Sequence, residues 1–222
     1  MTIVIAVDGT AASGKGTLAK KLAAHFGFAH LDSGALYRLT ALAVLGAKGD
    51  PANEADAVRG AQTIDLSRAG DPAIRTDIVG KAASHVAAIP AVRSALLEFQ
   101  QNFLAHPPGG SPGAVMDGRD IGTVICPGAT AKLYVDARPE VRARRRWNEL
   151  KAMNIRRAEQ DVLAELTARD AADKSRPIAP LKQAPDADLL DTSDLGIDAA
   201  FAAALALVTP KIEGTLKDRH RG

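Results

Sequence analysis

Five short apolar runs, each closing on an aspartate, are the strongest constraint on what this chain can fold into. They are Ile3 to Val7 before Asp8, Ala29 to Leu31 before Asp32, Ala114 to Met116 before Asp117, Leu133 to Val135 before Asp136, and Leu189-Leu190 before Asp191. Runs of this length read as buried strands. Helical stretches separate them: Lys15 to Phe26, with Leu18, Leu22 and Phe26 four apart, then Arg138 to Met153 and Asp161 to Asp173. Strand alternating with helix predicts an α/β fold with a parallel sheet covered on both faces. In such a sheet, ligands gather at the carboxyl ends of the strands. The aspartates would then lie along that rim, although each taken singly reads as an ordinary strand-ending or turn residue.

Between the second and third runs lies a long helical region, about Leu36 to Leu104, with turn signals at Gly49-Asp50-Pro51 and Gly70-Asp71-Pro72. Pro107 to Gly113 reads as a loop by composition, and Lys217 to Arg221 as a solvated, frayed end. The 222 residues suit one domain, and the net charge of +2 argues against a broad nucleic-acid surface. Cys126 is the sole cysteine, so no intrachain disulfide can form; the five histidines show no close ligand pair for zinc. The apolar N-terminus is too short for a signal or a membrane span. So is Ala199 to Val208, the longest Ala/Leu-rich stretch. The expectation is a cytoplasmic protein with small-molecule partners, acting as a monomer, away from membranes and nucleic acid.

The segment Gly9-Thr10-Ala11-Ala12-Ser13-Gly14-Lys15-Gly16-Thr17 follows the first strand and opens the first helix. A glycine-bearing loop there can wrap backbone N–H groups around phosphate, and the helix N-terminus adds its partial positive charge. Lys15 can reach the outer phosphates as a mobile point charge. The general pattern places Ser or Thr directly after the lysine. Here Gly16 stands there and the hydroxyl comes one residue later, at Thr17, an order that resembles the nucleoside monophosphate kinases more than the common GTPases.

Three further segments join this loop: Leu31-Asp32-Ser33-Gly34-Ala35-Leu36-Tyr37-Arg38, Asp117-Gly118-Arg119-Asp120-Ile121-Gly122-Thr123, and Arg169-Asp170-Ala171-Ala172-Asp173-Lys174-Ser175-Arg176. In this order the four resemble bacterial cytidylate kinase, from about Ile3 to Leu190. The resemblance implies a five-stranded parallel sheet flanked by helices, a monophosphate-binding region at about 37–105 and a lid at about 142–180. It implies ATP as phosphoryl donor on residues 9–17, CMP or dCMP as acceptor, and Mg²⁺ with Thr17 as its protein ligand. Arg38, Arg119 and Arg176 would hold the acceptor phosphate, with Ser33 nearby. Ser84, Arg93 and Asp120 would face the cytosine, and Arg169 and Asp173 the pentose. Lys15 and Arg119 would act on the transferred group, with Arg145 the choice among the lid arginines.

The residue types suit the chemistry. Cytosine offers an amino donor at N4 and acceptors at N3 and O2. Asp120 can accept, while Arg93 and Ser84 can donate; uracil would set oxygen against Asp120. Arg169, Asp173 and Arg176 share a helical face, which without the resemblance reads as a surface ion pair. Pro177 biases Arg176 out of helical geometry. Arg142, Arg144, Arg145 and Arg146 crowd one stretch and repel unless an anion lies near, or else form a solvated basic face. Two departures stand out. Residues 67–73 are too short for the small strands common in relatives, and Thr10 stands where proline is common, with no large effect expected. An adenylate or uridylate kinase would share the loop but not the later segments. A GTP-binding switch would need an Asn-Lys pair, which no asparagine here supplies.

Overall fold

A computed structural model describes residues 2–219. Its contacts divide the chain into two compact units, residues 1–31 with 104–222 and residues 32–103.

The first unit is built on the sheet. β1 (Ile3–Gly9), β2 (Ala29–Asp32), β3 (Gly113–Gly118), β4 (Ala131–Asp136) and β5 (Asp188–Asp191) lie in the order β2-β3-β1-β4-β5. β1 runs parallel to β3 and β4, and β4 to β5, with Asp8 opposite Gly118, Gly9 opposite Val135 and Asp136 opposite Asp191. The five apolar runs are therefore the five strands, and their carboxyl ends share a rim. β1 and β3 are buried throughout, whereas Leu189 in β5 is exposed, because an edge strand has a neighbour on one side only.

α1 (Lys15–Phe26) buries Leu18, Ala19, Leu22 and Ala23 against β1 and its neighbours. α8 (Ile197–Arg219) covers the same core with Ala200, Ala204, Val208 and Ile212, one helical turn apart. This helix is longer than the Ala/Leu stretch suggests, since Pro210 does not end it. Ile197–Lys217 is long and apolar enough to cross a membrane by length and composition alone. Four of its turns are nonetheless committed to the core. The expected frayed end is helical as far as Arg219; His220 and Arg221 lie outside the described residues. α6 (Pro139–Ala152) and α7 (Glu159–Ser175) pack on each other through Ala143, Leu150, Val162 and Leu166, with Ala11 of the loop at the same cluster.

The second unit is helical: α2 (Ser33–Gly46), α3 (Glu54–Gln62), α4 (Asp77–Ala88) and α5 (Pro90–Ala105), whose last two residues fall in the first unit. Side chains cap three starts, Asp32 on the Ala35 amide, Asn53 on Asp56 and Thr76 on Val79. Residues 66–70 and 72–75 form two 3₁₀ turns rather than strands. Gly60 lets α2 and α3 approach closely: a Cβ there would stand 2.6 Å from Val44 Cγ2 and 2.9 Å from the Thr40 carbonyl.

Candidate active site

The loop that leaves β1 is shaped by backbone conformations most side chains resist. Gly9 has φ 151°, and a Cβ would fall 1.9 Å from the Val135 carbonyl oxygen. Ala12 is held in the left-handed region at φ 58°, a strained choice for a residue with a Cβ. Gly14, also left-handed, precedes α1, whose first turn has no side-chain cap and no acidic residue. The amides there are left for an anion, and the positive end of the helix favours one. Lys15 Nζ donates to the Thr10 carbonyl at 3.1 Å. Ser13 Oγ is fully buried with no hydrogen-bond partner, an acceptor-seeking hydroxyl inside the loop.

Remote carboxylates and arginines hold this loop. Thr10 Oγ1 donates to Asp136 Oδ1 at 2.6 Å, a bond proline could not make, so the departure at position 10 carries a tie from the loop to the end of β4. Asp170 accepts from the Ala11 amide through Oδ1 at 3.3 Å and from Arg142 Nη1 through Oδ2 at 2.5 Å. Arg142 also donates to the carbonyls of Ala137 and Ala11 at 2.8 and 3.1 Å. Each of the crowded arginines has a partner within the protein. Arg142 is buried on Asp170, Arg144 meets Glu159, and Arg146 meets Glu149. Arg145 donates to Thr192 Oγ1 at 3.0 Å, to the carbonyls of Thr192 and Leu195 at 2.6 and 3.4 Å, and to that of Ser13 at 3.5 Å. That places Arg145 beneath the loop and beside the segment after β5.

One turn beyond Asp170 on α7, Asp173 gathers two of the expected residues. Arg119 Nε donates to its Oδ2 at 2.9 Å, and an Arg176 Nη to its Oδ1 at 3.0 Å. Asp173 is therefore no surface partner of Arg169 but the buried centre of an arginine cluster. Burial would raise its carboxyl, yet the charges of Arg119, Arg176 and Arg169 hold it below the usual range. Burial acts against the Arg119 guanidinium, and the Asp173 carboxylate outweighs it, lifting Arg119 above its ordinary value. Arg169 is lowered, by burial and then by the Arg119 charge, and its buried Nε has no hydrogen-bond partner. Arg176 caps α7 with extended ψ, as the following proline requires.

Asp120 is buried immediately before a one-turn π-helix, residues 121–125. Asp8 positions that turn: its two oxygens accept from the Ile121 and Gly122 amides at 2.8 and 2.7 Å. Burial pushes the Asp8 carboxyl up to about 6, against the pull of those amides and with the Asp120 charge adding to the rise. Each strand-ending aspartate thus has a structural partner of its own. Asp32 caps α2, Asp117 Oδ1 lies 2.8 Å from His30 Nε2, Asp136 takes Thr10, and Asp191 takes Ser193.

In the second unit, Ser33 is buried at the start of α2, five residues before Arg38. Arg38 Nη1 donates to the Ile74 carbonyl at 2.8 Å, and the missing Cβ of Gly80 leaves its guanidinium room, 3.4 Å away. Ser84 Oγ donates back along α4 to the Gly80 carbonyl at 3.3 Å. Arg93 is buried, donates to the Ala87 carbonyl at 3.2 Å, and lies over the Tyr37 ring with its guanidinium carbon 5.4 Å from the centroid.

The cytidylate kinase family model matches residues 5–210. The cytidylate kinase of Nitrobacter winogradskyi is 53% identical over 93% of this chain and 95% of its own. The chain belongs to the cytidylate kinase family. The Bradyrhizobium diazoefficiens member is 52% identical over 99% of this chain and 100% of its own length. An uncharacterized protein from Eubacterium ventriosum, solved by crystallography, shares the fold at a TM-score of 0.53 and 12% identity, over 93% of this chain and 98% of that one. Sequence reasoning named Asp8, Asp136, Arg142 and Asp170 but gave none of them its individual structural role. The available signal was a charged residue on an otherwise apolar helical face, such as Asp170 four residues after Leu166 and eight after Val162.

Proposed function

We propose that this chain transfers the γ-phosphoryl group of ATP to CMP or dCMP, giving ADP and CDP or dCDP. The observation that carries the reading is the Arg119–Asp173–Arg176 cluster, centred on Asp173 of α7, the helix that also holds the phosphate loop through Asp170. ATP would lie in the loop at residues 9–17, its phosphates on the amides before α1 and on Lys15. Arg119 and Arg176 in the first unit, and Arg38 with Ser33 in the second, would hold the acceptor phosphate. Asp120, Ser84 and Arg93 would read the cytosine; Arg169, with its unmatched Nε, and Asp173 would take the pentose hydroxyls. Residues 142–180, α6 and α7 among them, would act as the lid.

An oxygen of the acceptor phosphate attacks the γ-phosphorus in line. The bond to the β–γ bridging oxygen breaks, and ADP leaves with the electron pair. The acceptor phosphate is mostly ionised at neutral pH, with a second pKa of about 6, so no general base is needed. The work is positioning and charge stabilisation. Lys15 and Arg119 would offset charge on the transferred group. Arg145, bound to loop and post-β5 carbonyls, supports the donor side; acting on the phosphoryl group would require exchanging those bonds. Mg²⁺, when bound, would neutralise the β- and γ-phosphate oxygens. The residues fit it: Thr17 is exposed in the first turn of α1, and Asp117 Oδ2 lies 3.5 Å from the Cβ position Gly16 leaves open. No cluster of three or more acidic, His or Cys ligands is found among the described residues, which suits a cation held mainly by nucleotide and water.

The test is ADP release with CMP, dCMP, UMP and AMP in parallel. Highest kcat/KM with CMP or dCMP is expected; AMP as the best acceptor would overturn the specificity. We extend the reading to a cytoplasmic monomer, which a lone thiol and two small soluble substrates suit, and which light scattering of the full chain checks for oligomeric state.

A further inference from the structure

We propose that the buried Arg142–Asp170 ion pair is a positioning pair for ATP, fixing the phosphate loop by gripping both ends of one residue, Ala11. The inference rests on ATP being the donor. Asp170 takes the Ala11 N–H while Arg142 takes the Ala11 carbonyl, and the two hold each other at 2.5 Å. Arg142 is itself aimed by its Nε bond to the Ala137 carbonyl.

Such a clamp answers a need of this loop. Gly9, Ala11, Ala12, Gly14 and Gly16 have no polar side chain with which to anchor themselves, and Ala12 sits in a strained conformation that only its surroundings can maintain. A buried ion pair is weak evidence for stability, since matched apolar residues often serve as well. What it supplies here is direction: two bonds of opposite sense on one peptide residue. The pair also links two sites. Asp170 and Asp173 lie one turn apart on α7; the first sets the donor loop, the second sets Arg119 and Arg176. Any shift of α7 therefore moves the donor amides and these arginines together.

The experiment uses the full chain as Asp170→Asn and as the double variant Arg142→Met with Asp170→Leu, which removes the pair without leaving a lone buried charge. Steady-state KM for ATP and for CMP is measured, together with the rise in melting temperature on adding ATP alone. A positioning role predicts KM for ATP up about tenfold, KM for CMP within about twofold, and a smaller ATP-induced rise, even where the double variant melts near the parent. Variants that melt lower yet keep the parent's KM for ATP and its ATP-induced rise would make the pair merely structural and overturn the proposal. If the parent itself released no ADP with any monophosphate, the kinase reading would fail, while the ATP-induced shift would still test the clamp.

Discussion

Carboxylates gather Arg119, Arg176 and Arg142 in the first unit, and main-chain carbonyls help to aim Arg38 and Arg93 in the second. In the first, Arg119 and Arg176 meet at the Asp173 carboxylate and Arg142 at Asp170, partners up to 54 residues away in the chain. In the second, Arg38 and Arg93 donate to main-chain carbonyls, those of Ile74 and Ala87, and Arg93 stacks on Tyr37. A carboxylate both aims a guanidinium and offsets its charge, so it stabilises burial at some loss of field. A carbonyl aims the group without carrying a full opposite charge. Arg119 and Arg176, close together around Asp173, use the former. In the second unit, carbonyl bonds help to set the direction of Arg38, beside the space Gly80 leaves, and of Arg93.

That contrast can be broken at several points. Lys15→Ala should have the largest effect, cutting turnover by about 10²-fold or more while CMP affinity by calorimetry stays within about threefold. Equal turnover in variant and parent would remove Lys15 from the chemistry. Asp173→Ala removes the carboxylate that Arg119 and Arg176 share and should lower unfolding free energy by about 3 kcal/mol or more in urea titrations, with KM for CMP raised. An unchanged midpoint would mean the first unit does not depend on its carboxylate.

The next test separates Asp8 from Asp173 by pH. Asp8 titrates at about 6 when folded against 3.8 unfolded, so the folded state holds the extra proton between those values. Its contribution is complete below about pH 4 and is lost as pH rises through 6, by about 3 kcal/mol. Asp173, held below its ordinary value, acts in the opposite sense: its contribution is present above 3.8 and lost as pH falls further. In Asp8→Asn, stability should fall less between pH 4 and 7 than in the parent, narrowing the gap between them by about 3 kcal/mol. A constant gap would contradict the raised Asp8 carboxyl. The smallest effect is expected in the second unit. Gly80→Ala would place a methyl 3.4 Å from Arg38 Nη1, raising KM for CMP by about threefold with saturated turnover little changed. A large fall in turnover would show that Arg38 is aimed as rigidly as Arg119.

Much of the fold was legible in residue order. The strands follow from short apolar runs, α1 from the spacing of Leu18, Leu22 and Phe26, and the loop from glycines and a lysine set between strand and helix. Those signals are local, and local conformational preference is what a linear pattern records. The break at Pro177 was legible for the same reason. The length of α8 was not, because Pro210 reads as a stop while packing of Val208 and Ile212 on the sheet carries the helix past it.

By itself, then, the sequence determined the strand–helix alternation, the phosphate loop and the residue types available to meet a nucleotide. Only the tertiary structure decided which charge answers which. Arg142 and Arg144 look alike in a run of four arginines, yet one is buried on Asp170 and the other exposed on Glu159. By spacing alone Asp173 reads as a surface partner of Arg169, and in the structure it is the centre of a buried cluster. The reason is physical: the cost of burying a charge is offset only by partners the fold brings from distant positions.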